Sequence, residues 1–125
     1  MEQPKTKLKA VLVVEDNDEI RETLSFVLAT SGFNVCSAGN GLEALHVLDR
    51  SSEPMLIFLD LMMPLMDGWT FLKALAENER YAGLPVVVTS TAAKQVNSPN
   101  VVAMLPKPYD LDEILKLADT YCVHR

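Results

Sequence analysis

A chain of 125 residues has room for one core and not two, and 49% apolar with 22% charged residues is the composition of a globular domain. The net charge of −6, with no basic run, disfavours nucleic acid, whose binding rests on neutralising phosphates. The longest apolar stretch falls far short of the ~20 residues that span a bilayer, and Lys9 interrupts any signal-peptide core, so a cytoplasmic protein without membrane contact is expected.

Five apolar runs alternate with helical patterns. The first strand is predicted over 8–14, followed by a helix capped by Asp18, carrying Ile20, Leu24, Val27 and Leu28, and stopped by Gly32. A second run, 34–37, leads to a helix capped by Asn40 with Leu42, Leu45 and Leu48 on its apolar stripe. The third run, 55–59, ends in Asp60, and Asp67-Gly68 then opens a helix with Phe71, Leu72 and Leu75 inward, closing near Gly83. The fourth run is 86–89. Before the fifth, 101–105, there is space for at most two helical turns around 92–96, because Ser98-Pro99-Asn100 is turn material. Asp110 and Glu113 form a capping box for a last helix carrying Leu111, Ile114, Leu115, Ala118, Tyr121 and Cys122.

Runs 8–14, 55–59 and 86–89 lack polar alternation, as strands covered on both faces do. Strand–helix alternation with short links implies parallel strands and right-handed crossovers, an α/β three-layer sandwich. One domain over 1–125 is expected, with 1–7 a flexible leader. Cys36 and Cys122 read as small hydrophobes in a reducing compartment, and His46 and His124 carry no catalytic pattern.

Parallel strands bring all their carboxyl ends to one edge, where ligands bind in open α/β sheets. The first strand ends in Glu15-Asp16, the third in Asp60, the fourth in Ser90, and the fifth is followed by Lys107. Like-charged carboxylates ~4 Å apart repel by ~4 kcal/mol at an effective dielectric near 20. The fold therefore needs a cation among them or a protonated acid. Mg²⁺, a hard ion that takes oxygen ligands, suits the set. An Asp beside it can attack phosphorus, with a lysine and a hydroxyl stabilising the phosphoryl oxygens. No Gly-rich phosphate loop is present, so the phosphoryl donor is external. Taken singly, each residue reads more readily as a cap, a surface lysine or a strand-end hydroxyl; their order on successive strand ends favours chemistry. Met62, Met63, Met66 and Trp69 read as packing residues.

These motifs, with the stretch 60–68, the strand 85–90 and Lys107-Pro108-Tyr109, resemble the receiver domain of the response regulators of two-component signalling, along essentially the whole chain. The resemblance implies a flavodoxin-like, doubly wound five-stranded parallel sheet of order 2-1-3-4-5, here with the fourth helix short or absent. It implies phosphorylation of Asp60 by a histidine kinase or histidine phosphotransfer protein. Mg²⁺ would be held by Asp16, Asp60 and the Met62 backbone carbonyl, with Glu15 acting through water. Lys107, joined to Pro108 by a cis bond, would pair with the phosphoryl group, and Ser90 would move to it as a switch.

Three positions depart from the family's pattern. Glu15 stands where Asp is usual, Met104 replaces the aromatic switch residue, and the fourth crossover is short. In many relatives the face of the fourth helix, fifth strand and fifth helix carries dimerisation or output. A single-domain, chemotaxis-type regulator is expected. It would catalyse only transfer to its own Asp60 and its own dephosphorylation, and would signal through a separate partner protein as a monomer or phosphorylation-dependent dimer. The alternative is a pseudo-receiver that binds protein without phosphorylation. A phosphatase acting on outside substrates would need a pocket that such short loops do not cover.

Overall fold

The uninterrupted apolar runs become the centre of the sheet. In the computed structural model, which describes residues 8–90 and 96–123, strands β1 (Ala10–Val14), β3 (Met55–Asp60) and β4 (Val86–Ser90) are buried along their whole length. The less buried β2 (Val35–Ala38) and β5 (Val101–Pro106) form the edges. All pairings are parallel, in the order β2-β1-β3-β4-β5. This is the expected flavodoxin-like sheet.

Side chains alternate across each strand and pack the two faces of the one sheet. Val11, Val13, Leu56, Phe58, Val87 and Leu105 meet α1 (Asp18–Thr30) and α4 (Leu111–Tyr121) through Leu24, Leu28, Ile114 and Ala118. On the other face Leu12, Ile57, Leu59 and Val88 meet α2 (Gly41–Arg50) and α3 (Gly68–Ala76) through Ala44, Leu48, Phe71 and Leu75. Continuing the alternation, Glu15 follows Val11 and Val13, and Asp60 follows Leu56 and Phe58, onto the α1/α4 side.

β5 reaches the same side by an irregularity. Val86 pairs with Val101 but Val87 pairs with Ala103, so Val102 is an extra residue in the ladder. A one-residue offset exchanges the two faces of a strand. Val102 thereby puts Leu105, and Lys107 beyond it, on the face of Asp60, and leaves Met104 on the α2/α3 side.

The ends of the helices mostly match the expected caps. Asn40 accepts from the Glu43 N–H at 2.9 Å, Asp67 from the Thr70 N–H at 2.8 Å, and the Asp110 N–H donates to Glu113 at 3.2 Å. Gly32, at φ 98°, ends α1 in a Schellman motif: its N–H bonds Ala29 and the Phe33 N–H bonds Leu28. Three expectations are corrected. The cap of α1 is Asn17, whose side chain accepts from the Ile20 N–H at 3.0 Å, while Asp18 is committed to Arg21. α3 stops at Ala76, because Asn78 turns the chain, accepting from the Arg80 N–H with its side chain. Leu42 is 49% exposed, since α2 faces the sheet with Gly41, Ala44 and Leu48. Between β4 and β5, residues 96–100 form no helix, and the helical turns expected around 92–96 lie otherwise outside the described residues, as does the leader 1–7.

Candidate functional site

β1 delivers Glu15 one residue past its last ladder pair, where the Glu15 N–H still bonds the Ala38 carbonyl at 3.0 Å. Its side chain, 2% exposed, turns toward the sheet: Oε1 lies 3.1 Å from Lys107 Nζ and Oε2 accepts from the Asn17 N–H at 3.1 Å. Asp60 is the last residue of β3 and is also buried. Its Oδ2 lies 3.6 Å from Lys107 Nζ, and its Oδ1 accepts from the Met62 N–H at 3.3 Å. Asp16 sits exposed above them, and one oxygen from each of Glu15, Asp16 and Asp60 falls within 4.8 Å of the others.

Lys107 is held at the root by its backbone N–H, which donates to the Ser90 carbonyl at 2.9 Å. The peptide after it, Lys107–Pro108, is cis, as expected. Ser90 is buried and lies one residue beyond Thr89, the ladder partner of Asp60. Alternation puts it on the α2/α3 side, together with half-buried Met104. Every residue singled out from the sequence thus lies at the carboxyl rim or, for Met104, in the strand leading to it.

The eight residues after Asp60 close into a loop through the Gly68 N–H, which bonds the Leu61 carbonyl at 2.9 Å. A Cβ on Gly68 would stand 2.6 Å from Leu61 Cα, so only glycine allows this closure. Within the loop Met63 and Met66 pack as expected, but Met62 and Leu65 are 61% and 80% exposed, and Trp69 at the start of α3 is 44% exposed. Leu65 also holds a φ of 64°, which a side chain rarely adopts.

The electrostatics follow from crowding. Burial alone would lower the Lys107 ammonium, but Asp60 and then Glu15 outweigh it and raise its pKa above the usual lysine value. Desolvation, and then the adjoining Glu15 carboxylate, push the Asp16 carboxyl above the ordinary Asp range. Three carboxylates against one ammonium leave two negative charges unbalanced, the charge of one divalent cation. The donor set is oxygen only, and two Mg–O bonds of about 2.1 Å together span nearly the separation of these oxygens. The residues fit such an ion.

Two neighbours, Arg21 and Tyr109, were given no role from the sequence. Arg21 donates from Nη1 to the Glu15 carbonyl at 2.9 Å, and a backbone acceptor leaves no mark in a sequence. Tyr109, its hydroxyl pKa raised by burial, lines a cleft of about 600 Å³ between α1 and the β5–α4 link, with Ile20, Leu24, Lys107, Pro108 and Leu111. Cys36 is half-buried, and the buried Cys122 thiol donates to the Ala10 carbonyl at 3.6 Å. His46 is exposed on α2, and His124 lies outside the described residues. Among the described residues no helix is long and apolar enough to cross a membrane.

The family model of the response regulator receiver domain matches residues 11–119. Response regulator Rre1 of Synechocystis is 36% identical over 111 residues, 84% of this chain and 48% of that protein. Regulatory protein AtoC of Escherichia coli is 33% identical over 115 residues, 87% of this chain and 24% of that protein. The chain therefore spans between a quarter and a half of the length of these curated relatives. Among solved structures, the chemotaxis response regulator CheY4 of Vibrio cholerae superposes with a TM-score of 0.79 at 27% identity, covering 91% of this chain and 98% of that one. Sequence match, strand order and fold agree, and the chain belongs to the receiver domains of the two-component response regulators.

Proposed function

We propose that this receiver domain accepts a phosphoryl group on Asp60 in a Mg²⁺-dependent reaction, from a histidine kinase or histidine phosphotransfer protein, and signals by binding a separate protein or by passing the group on. The observation that carries this reading is the buried Asp60 carboxylate facing Lys107 at 3.6 Å, beside two further acids that leave the rim two negative charges in excess. Receiver domains typically bind Mg²⁺ at such a cluster, and here Asp16, Asp60 and the Met62 carbonyl would hold the ion, with Glu15 reaching it through water. When bound, the ion offsets the repulsion between the carboxylates and the incoming phosphoryl oxygens.

Asp60 supplies the nucleophile. A carboxylate oxygen forms the new O–P bond as the donor's N–P bond breaks, and the electron pair of that bond leaves on the imidazole nitrogen. Lys107, already at the rim and charged, pairs with a phosphoryl oxygen. Ser90 donates its hydroxyl to another and so couples occupancy to the α2/α3 side of the sheet, on which it lies. Met104, half-buried against the α2/α3 core, takes the switch position by repacking its flexible thioether.

Incubation with acetyl phosphate and Mg²⁺, read by intact mass, tests the proposal. A single phosphoryl adduct is expected, lost in Asp60→Asn and in excess chelator. Absence of an adduct, both from acetyl phosphate and from a phosphorylated histidine phosphotransfer protein, overturns it.

A further inference from the structure

The turn between β1 and α1 is three residues long, Glu15-Asp16-Asn17, and carries two of the three rim acids. Two parts of it are secured locally: Asn17 caps the helix, and its N–H holds Glu15 Oε2. The Glu15 carbonyl lies past the end of the β1 ladder and needs another donor. Arg21 reaches back one helical turn to supply it, with Nη1 at 2.9 Å, while Nη2 lies 2.6 Å from Asp18. The Asp18 contact does not explain the residue, because the Asp18 side chain is 79% exposed and such surface pairs contribute little.

We infer that Arg21 is a positioning residue for the metal-binding turn: by holding the Glu15 carbonyl it orients the peptide that joins Glu15 to Asp16, and so aims the Asp16 carboxylate at Asp60. Asp16 is exposed, and beyond its contact with the Glu15 side chain its direction depends on the backbone that bears it. Glu15 is fixed on both oxygens, by Lys107 and by Asn17, and Asp60 by a strand end. Of the three acids, Asp16 is the exposed one, and Arg21 holds the peptide plane that leads into it. A lysine keeps the charge but, as a compact point donor, does not bridge both acceptors in a fixed fork.

The inference rests on the Mg²⁺ reading above and is tested by calorimetric titration of Mg²⁺ alone into the native protein, Arg21→Met, Arg21→Lys and Asp18→Asn, each also melted in chelator. Outer partners of metal ligands are worth about ten- to hundredfold in affinity. Arg21→Met is expected to weaken Mg²⁺ binding by that factor at a metal-free melting temperature close to native. Arg21→Lys is expected between the two, and Asp18→Asn near native. Native-like affinity in Arg21→Met overturns the inference; so does native-like affinity in Arg21→Lys, should the methionine variant not fold. An equal loss in Asp18→Asn also overturns it, by moving the effect to the surface pair. A native protein that takes up no Mg²⁺ overturns the reading of the site itself, whereas native uptake undiminished in Arg21→Met overturns this inference alone.

Discussion

The two ends of the sheet are built on opposite principles. At the amino end, side-chain donors bond backbone carbonyls and a carboxylate. The Asn100 amide, 2% exposed, donates to the carbonyls of Tyr81, Ala82 and Leu84 at 3.0, 3.2 and 2.8 Å. The Tyr81 hydroxyl bonds Asp49, and Arg80 stacks over the Tyr81 ring while donating to the Ser51 carbonyl at 2.9 Å. The Leu8 N–H donates to Tyr121 at 2.7 Å, and its carbonyl accepts from Val123 at 2.9 Å, which ties the tail of α4 to the entry of β1. At the carboxyl end three acids crowd one lysine, a leucine holds a left-handed backbone, and large apolar side chains stand in water. One end closes the fold, and the other keeps unbalanced charge and strain where an incoming group can relieve them.

The contrast predicts effects of opposite sign. The largest is at the amino end. Asn100→Ala removes the donor from three carbonyls at once, and should cost about 2–4 kcal/mol, read as a fall in the urea midpoint. Affinity for Mg²⁺ should be unchanged, since the site is at the other end of every strand. A loss below about 1 kcal/mol would mean that water replaces the amide freely and that this end is no staple.

At the rim, removing a polar group should help. Asp16 titrates above its ordinary value because of desolvation and Glu15, so the folded state holds the proton more tightly than the unfolded chain. For an acid raised in this way, the contribution to stability is complete below the unfolded value. It is lost as pH rises through the folded one. Metal-free protein should therefore lose stability on going from acid across this titration, and Asp16→Asn should flatten that slope, with a gain of up to about 1 kcal/mol at neutral pH. Thermal melts in chelator across the acid range measure both. A melting temperature that rises with pH equally in native and variant would remove Asp16 as a source of repulsion.

The two ends also differed in how much of them could be read from residues. The rim was legible because its acids, Ser90 and Lys107 all follow apolar runs, so strand order alone brought them to one edge. Its supports were not. Arg21 acts on a backbone carbonyl, and the offset that puts Lys107 on the face of Asp60 is one unremarked valine, Val102. Asn100 read as turn material, because its three acceptors are also backbone atoms. Size misled as well. Leu42 was counted on the inner stripe of α2, but the helix approaches through Gly41 and Ala44, and Gly41 lies against Met66 so closely that a Cβ would fall 2.7 Å from its side chain. Between Asn17 and Asp18, adjacent and both good caps, Asn17 is the one that accepts the Ile20 N–H, and Asp18 falls in the first turn beside Arg21.

The smallest predicted effect tests whether the rim stores strain as well as charge. Leu65 has φ 64° and is 80% exposed, so its side chain gains little burial to offset the backbone. A left-handed conformation costs an L-residue about 1–2 kcal/mol. Glycine removes that cost but gives back roughly 0.5–1 kcal/mol through the greater freedom of the unfolded chain. Leu65→Gly should therefore stabilise the protein by about 0.5–1 kcal/mol, a small upward shift of the urea midpoint. The loop around it is already held by the Gly68 closure and the Asp67 cap, so the substitution has no second anchor to disturb. A net loss instead would mean that Leu65 packs in solution and that charge alone distinguishes the rim from the amino end. A gain would place strain in the loop that follows Asp60, beside the repulsion at the end of the sheet where function outweighs stability.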